Sequence, residues 1–332
     1  MNNKTILITG GAGYIGSQTS YELIDAGYSV VVLDNLINGH RQAVPPEAVF
    51  VEGDIHDQTI LEKVFTQHAI GGVIHFAADP AINADKPENF EMYYRNNLFG
   101  LFSVLEPMGK YRVKNIVFSS TAAVYGMPTS LPIVESQPLE PLNMYGRTKL
   151  MAEQMLQDYS RMMHCNVTRL RYFNASGADL EGRTGESHDP ETHLIPIILD
   201  VVAGKHDKIF VFGNDYDTKD GTCVRDYIHT KDLAKAHILA MEKMMTSDRL
   251  WCEAFNVGTG EGYTNLEIIK MVESVTGSKV AYEFAARRPG DWDSAYADNT
   301  KIKSRLGWNH TYSDLETIIT SAWNWYKKNA LR

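Results

Sequence analysis

The stretch TILITGGAGYIGSQTSYELIDAG, residues 5 to 27, decides the fold. A short β-branched and apolar run leads straight into GGAGYIG (10–16), and those glycines open a helical pattern that ends at Gly27. The run reads as a strand of a parallel sheet and the helix as its crossover. Small residues between the two have a physical use. Gly11 and Gly13 let the backbone turn tightly and approach a pyrophosphate, Gly16 lets helix and strand pack closely, and the helix start offers free N–H groups and positive dipole. Gly10, Gly13 and Gly16 are therefore candidate dinucleotide-binding positions.

Farther along, Asp34 ends a second strand about 20 residues on, where a carboxylate accepts the ribose hydroxyls of NAD and repels the 2'-phosphate of NADP. Asp54, in EGDI, ends a third strand at a place suited to the adenine; capping the next helix is the equally weighted alternative. Strands are expected at 5–10, 29–35, 49–54, 72–78, 115–121 and 167–174, alternating with helices in the manner of βαβ units. Residues 175 to 225, rich in Gly, Asp, Pro and Thr, read as ligand-wrapping loops. TNLE (264–267) is a capping box, and SDLETIITSAWNWYKK a final amphipathic helix. The expected fold is α/β: a Rossmann-like doubly wound parallel sheet over residues 1–174, to which later segments return, and a smaller interwoven α/β substrate domain over 175–332.

The chain has 332 residues, 44% of them hydrophobic, enough to bury a substantial core. Its formal charge of -9 and the lack of a Lys/Arg block argue against a nucleic-acid partner. Three scattered cysteines, Cys165, Cys223 and Cys252, suit neither a disulfide framework nor a zinc site and point to a reducing cytoplasm. No segment reads as a signal peptide or a membrane span.

Tyr145 and Lys149 lie four apart at the start of a helix, so both emerge on one face. A phenol is a poor base at neutral pH, but a neighbouring ammonium and a positive nicotinamide pull its pKa down. Thr121 ends FSST at the crevice where such sheets bind ligands, with Ser119 and Ser120 as strand-end support. Threonine as relay, tyrosine as acid and base and lysine as electrostatic partner make a hydride-transfer site.

On GGAGYIG, LDNL, VEGDI, YYRNN, FSSTAAVYG, YGRTK, LRYFN, FGNDY, DGTCVRDYIH and RRPGD the whole chain resembles the extended short-chain dehydrogenase/reductases, and among them the UDP-glucose 4-epimerase family. That resemblance implies interconversion of UDP-galactose and UDP-glucose: Tyr145 takes the 4-hydroxyl proton, C4 passes its hydride to a retained NAD, and the 4-keto sugar turns over and is reduced on its other face. It also implies cofactor contacts at Tyr14, Ile15, Asp34, Asn35, Leu36, Ile37, Asn38, Asp54, Ile55, Phe76, Ala77, Ala78, Asn96, Lys149 and Phe173. The UDP-sugar would meet Thr121, Tyr145, Asn174, His193, Leu194, Phe212, Arg225 and Arg288, with Asp291 toward the ribose. An arginine fork matches diphosphate oxygens; for Arg225 the alternative is an ion pair with Asp226.

Two departures from the family pattern matter. Pro80 stands where some relatives carry lysine, and Ala295 stands where some carry tyrosine, which leaves room for an N-acetyl group on the sugar. A 4,6-dehydratase is the competing enzyme, but its relatives place an Asp-Glu pair where this chain has Ala122 and Ala123. A regulatory protein that binds NAD without turnover is the competing class. In HDPETHLIP (188–196) the spacing does not match a helical HxxxH pair, and the resemblance gives His193 a nucleotide role, so no metal is expected. A homodimer is expected through helices near 90–110 and 145–162.

Overall fold

The computed structural model of the protein describes residues 4–79, 86–288 and 290–330. Pro80 lies outside the described residues. Ten α-helices and fourteen strands are described. In the first half, β1 (Thr5–Thr9), α1 (Tyr14–Asp25), β2 (Ser29–Asp34), β3 (Val49–Glu52), α2 (Gln58–Gln67) and β4 (Ile70–His75) lead to α3 (Phe90–Tyr94), a π-helical stretch and α4 (Gly100–Lys110). Next come β5 (Asn115–Thr121), α5 (Met144–Met163), β6 (Asn166–Tyr172), β7 (Asn174–Ser176), α6 (Leu194–Val202), β8 (Ile209–Phe212), β9 (Val224–Arg225), β10 (Tyr227–His229) and α7 (Thr230–Met245). Last are β11 (Cys252–Val257), β12 (Tyr263–Thr264), α8 (Asn265–Thr276), β13 (Tyr282–Ala285), β14 (Ser294–Ala295), α9 (Thr300–Leu306) and α10 (Leu315–Ala330).

Seven parallel strands form the central sheet in the order β11-β6-β5-β4-β1-β2-β3. The strand order reverses between β1 and β4, and a doubly wound sheet binds ligands outside the carboxyl ends of its strands at that point. One face of the sheet buries Ile6, Ile8, Val30, Val32 and Ile74 with Leu233, Ala236 and Ala240 of α7. The opposite face buries Leu7, Val31, Leu33 and Val73 with Leu61 of α2, Leu101 and Leu105 of α4, and Ala152 and Leu156 of α5. Both faces are thus covered, which is why these strands read as unbroken apolar runs. A separate core of Ile195, Ile198, Ile209, Ile268, Ile269, Val272 and Ile318 packs α6, α8 and α10 against β8. The capping box at Thr264 and Glu267 forms with both of its bonds.

Residues 175 to 225 are not simply loops. They carry β7, α6, β8 and β9. Leu194–Val202 buries Ile195, Ile198 and Leu199 on one face, but its apolar residues run almost continuously, so no helical period stands out in the sequence. The segment that returns to the sheet is β11, whose six residues add an edge strand beside β6 from far along the chain.

In the glycine loop the turn falls one residue earlier than expected. Gly10, at φ 74, takes the left-handed conformation, and a Cβ there would meet the Ala77 nitrogen at 2.6 Å. Gly11 instead lies against the Val32 side chain. Gly16 is as tight as its packing role requires: a Cβ would meet the Gly10 carbonyl oxygen at 2.2 Å.

Candidate active site

The dinucleotide cradle assembles at the switch point. Phe76 and Ala77 donate backbone N–H bonds to the Thr9 carbonyl at 2.9 and 3.0 Å, which draws the end of β4 onto the end of β1. Gly13 precedes α1, and no side chain caps the helix there, so the first-turn N–H groups of Tyr14 and Ile15 are available to a phosphate. A Cβ at Gly13 would meet only the Gly10 carbonyl, at 3.4 Å, so the loop leaves room for close approach. Asp34 is buried and shapes the loop around itself, accepting from the Ala12 N–H and the Leu36 N–H at 2.9 Å each. Leu36 has φ 60, and Ile37 is 74% exposed beside an exposed Asn38. Asn35 donates to Asp54 at 2.9 Å, which joins the ends of β2 and β3. Asp54 does not cap α2; Asp57 does, accepting from Thr59 and Ile60. Ile55 is buried against Gly100, and Phe76 packs on His237 at 4.7 Å between ring centroids. These features fit NAD: a shaped loop, uncapped amides and an acid at the end of β2.

Thr121, Tyr145 and Lys149 come together where β5 ends and α5 begins. Asn143 caps α5 by accepting from the Gly146 N–H at 2.8 Å, which fixes the helix start one residue before Tyr145. The Thr121 hydroxyl accepts from the Ala123 N–H at 3.1 Å and lies close enough to the Tyr145 phenol to lower its pKa. Lys149 is 2% exposed; its ammonium donates to the Ser119 carbonyl at 2.9 Å and lies 5.8 Å from the centroid of the Tyr145 ring. Burial pushes the Tyr145 phenol up to about 12, against the lowering effect of Thr121. Burial likewise pulls Lys149 down to about 7, with Asp79 opposing it. Asp79 is held by Asn96 at 2.5 Å, and its backbone N–H donates to Asn97 at 2.7 Å.

Sequence reasoning missed what lies beneath this cluster. The Ser119 hydroxyl pairs with the Tyr172 phenol. Ser120 donates to Glu153 of α5 at 2.6 Å, and Glu153 receives Arg171 through two bonds of 2.9 and 2.6 Å. Arg171 also reaches the Tyr125 hydroxyl at 3.0 Å, and Tyr125 donates to Asn256 of β11 at 2.6 Å. The signal was present in TRLRYFN, where two arginines alternate with apolar residues along a strand buried on both faces.

The second group of predicted residues gathers around β9 and the loop before β14. Arg225 donates to the carbonyls of Val224 and Trp292 at 2.8 Å each and lies 3.6 Å from Asp291. Arg288 reaches the same carboxylate at 3.0 Å and sits 5.0 Å from the Phe212 ring centroid. The Arg225–Asp226 pair does not form. Asp226 is fully buried and instead accepts from Thr259, Gly260 and Ala297. Asn174 donates to the Asp226 carbonyl at 2.8 Å, next to a half-buried Phe173. Ala295, 2% exposed, belongs to a cluster with Ala122, Val124, Phe173 and Trp292, just past Thr121.

His193, at the N-cap of α6 just before Leu194, stands apart from that group. Its Nδ1 lies 2.6 Å from Glu186 and 3.4 Å from Glu191. The ring is about half exposed, so burial opposes its charge only in part, and these two carboxylates hold it up to about 10; the same pair lifts the more buried His188 to about 9. Helical spacing is only one ground for expecting no metal, beside the nucleotide role of His193, and it does not apply to the loop before α6 where Glu186, His188, Glu191 and His193 lie.

A glycine cradle at the switch point, with a hydroxyl, a phenol and an amine at the end of the neighbouring strand, defines a dinucleotide-dependent enzyme of Rossmann type. The chain belongs to the NAD dependent epimerase/dehydratase family, whose model matches residues 6–258, and within it to the UDP-glucose 4-epimerases. It is 46% identical to the UDP-glucose 4-epimerase of Halalkalibacterium halodurans over 98% of this chain and 96% of that protein. The crystal structure of the Brucella ovis UDP-glucose 4-epimerase in complex with NAD covers 97% of this chain and 98% of its own, at 46% identity and TM-score 0.93. That of the Bifidobacterium longum enzyme in complex with NAD+ and UDP covers 98% and 99%, at 38% identity and TM-score 0.91. Among the described residues, no helix is long and apolar enough to cross a membrane.

Proposed function

We infer that this chain is an NAD-dependent UDP-glucose 4-epimerase, interconverting UDP-galactose and UDP-glucose through a 4-keto sugar. The observation that carries the reading is the convergence of Thr121, Tyr145 and Lys149 beside the dinucleotide cradle, with Ala122 and Ala123 following where an eliminating enzyme needs acids. Bound NAD supplies the hydride acceptor and donor at C4. Tyr145 removes the 4-hydroxyl proton and later returns it, with the nearby Thr121 hydroxyl as the relay between sugar and phenol. Lys149 stabilises the phenolate and stays oriented through the Ser119 carbonyl. Inversion needs the hexose to turn over while the nucleotide stays put. Arg225 and Arg288 suit the diphosphate, Asp291 the ribose, and Phe212, Asn174, His193 and Leu194 the rest of the nucleotide handle.

On the cofactor side the proposed contacts are Gly10, Gly13, Tyr14, Ile15, Gly16, Asp34 through Asn38, Asp54, Ile55, Phe76 through Ala78, Asn96, Lys149 and Phe173. Residues 1–174 form the proposed NAD-binding domain, and 175–332 the nucleotide-sugar domain. The proposed acceptance of a 2-acetamido group rests on the small side chain of Ala295, which packs beside Trp292 and Phe173. The expected result is interconversion of both UDP-galactose/UDP-glucose and UDP-GalNAc/UDP-GlcNAc without stoichiometric added NAD, at rates within about 200-fold of each other. Coupled assays read it. No conversion of the first pair would remove the whole assignment, whereas inactivity on the acetylated pair alone would remove only the role of Ala295.

The proposal includes a homodimer. Phe90, Phe99, Phe102, Met151 and Met162 are 56, 61, 51, 39 and 79% exposed along the helices of residues 90–110 and 144–163, and pairing of two copies would cover them. Light scattering on purified protein should give twice the chain mass, and a monomer at micromolar concentration would rule this pairing out. A cytoplasmic location fits the three free cysteines.

A further inference from the structure

The loop that precedes α6 carries four side chains that the epimerase mechanism does not need in this arrangement. Glu186, His188, Glu191 and His193 bring one donor atom each to within 4.8 Å of one another. We propose that these four residues bind a structural zinc ion through the Nδ1 atoms of His188 and His193 and one carboxylate oxygen each of Glu186 and Glu191.

The distances have the right scale. Zinc bonds of about 2.0–2.2 Å in a tetrahedron set the ligand atoms about 3.3 Å apart. The two Nδ1 atoms lie 3.4 and 2.6 Å from Glu186 and 3.6 and 3.4 Å from Glu191. The Glu186 side chain is only 9% exposed, yet its Oε1 makes no hydrogen bond, and neither does the buried Nδ1 of His188. Two of the four donor atoms are thus buried without a hydrogen-bond partner, and an ion shared with Glu191 and the half-exposed His193 would satisfy both. Two imidazoles argue against magnesium or calcium, which take oxygen ligands, and four protein donors close the tetrahedron. Such a closed set is structural, with no open position for chemistry.

The surroundings hold the donors in place as supporting contacts do at metal sites. Glu191 also accepts from the Thr192 and His193 N–H groups at 2.8 and 2.9 Å. The His188 ring packs edge-on to Tyr14 at 6.2 Å, and the Glu186 carbonyl accepts from Trp325 of α10 at 3.0 Å. Ligation through Nδ1 leaves Nε2 of His193 available to the nucleotide. The ion would therefore brace the loop between α1, α10 and the start of α6.

The test loads chelator-treated full-length protein with zinc(II), removes the excess by gel filtration and measures retained metal by mass spectrometry. One zinc per chain is expected in the native protein, and under about a tenth of that in His188→Ala and Glu191→Gln. Cobalt(II) in its place should give the intense visible bands of a tetrahedral site, absent from both variants. Zinc should raise the melting temperature of the native chain and leave both variants unmoved, with circular dichroism confirming that they fold. Two imidazolium–carboxylate pairs would also draw these side chains together; native protein that retains no zinc and does not shift on melting is that case and overturns the proposal. Retention unchanged in both variants overturns it as well.

Discussion

Tyr145→Phe should lower interconversion of UDP-galactose and UDP-glucose by about 10²–10⁴-fold, the range for removing a positioned acid–base group, while bound NAD stays in place. The phenol oxygen is the only part of the side chain that the substitution deletes, and the ring keeps its packing. Burial raises this phenol to about 12. An ionised Tyr145 at neutral pH therefore requires positive charge close by, which the Lys149 ammonium and the nicotinamide ring supply. Proton abstraction uses the phenolate, so the native rate should climb with pH as Tyr145 ionises. The residual rate of Tyr145→Phe should lack that climb. Steady-state assays across pH, with bound NAD measured by absorbance after denaturation, give both readouts. Activity within tenfold of native, or an unchanged pH profile, would show that another group is the base.

Glu153→Leu should destabilise the protein by about 3–5 kcal/mol, because it strands a buried guanidinium. Glu153 is 1% exposed and Arg171 3%, so water does not screen the pair. Removing the carboxylate takes both bonds from Arg171 and the acceptor from Ser120, one residue before Thr121. The neighbouring Arg169 adds to the penalty, since its Nη1 lies 3.9 Å from the same carboxylate. Replacing both partners, Glu153→Leu with Arg171→Met, should recover much of the loss, since apolar substitution of a whole buried pair is often neutral. Thermal or denaturant unfolding reads the difference. A single-variant loss below about 1 kcal/mol would mean that water reaches the pair or that the strand end shifts to pair Arg171 elsewhere.

Different physics made different parts of the molecule legible. The β1 strand, the glycines, the first helix, Asp34 and the Tyr145–Lys149 spacing are local patterns, each set by a period or a steric demand within a few residues. Even there, the left-handed turn fell on Gly10 rather than Gly11, because the close approach that requires it comes from Ala77, some 67 positions away. Leu194–Val202 reads as loop in the sequence and folds as a helix, since an apolar run without a period does not distinguish its own structure.

From its own order of residues the chain determined the parallel sheet, its dinucleotide loop and the hydroxyl, phenol and amine of the proposed chemistry, because strand, turn and helix preferences act over neighbours. Tertiary structure decided which charges meet. Arg225 turned from adjacent Asp226 to Asp291, Ser120 and Arg171 met on Glu153, and Glu186 and Glu191 closed around His188 and His193. A buried charge takes whichever partner the packed backbone brings within reach, and distance along the chain has no part in that choice.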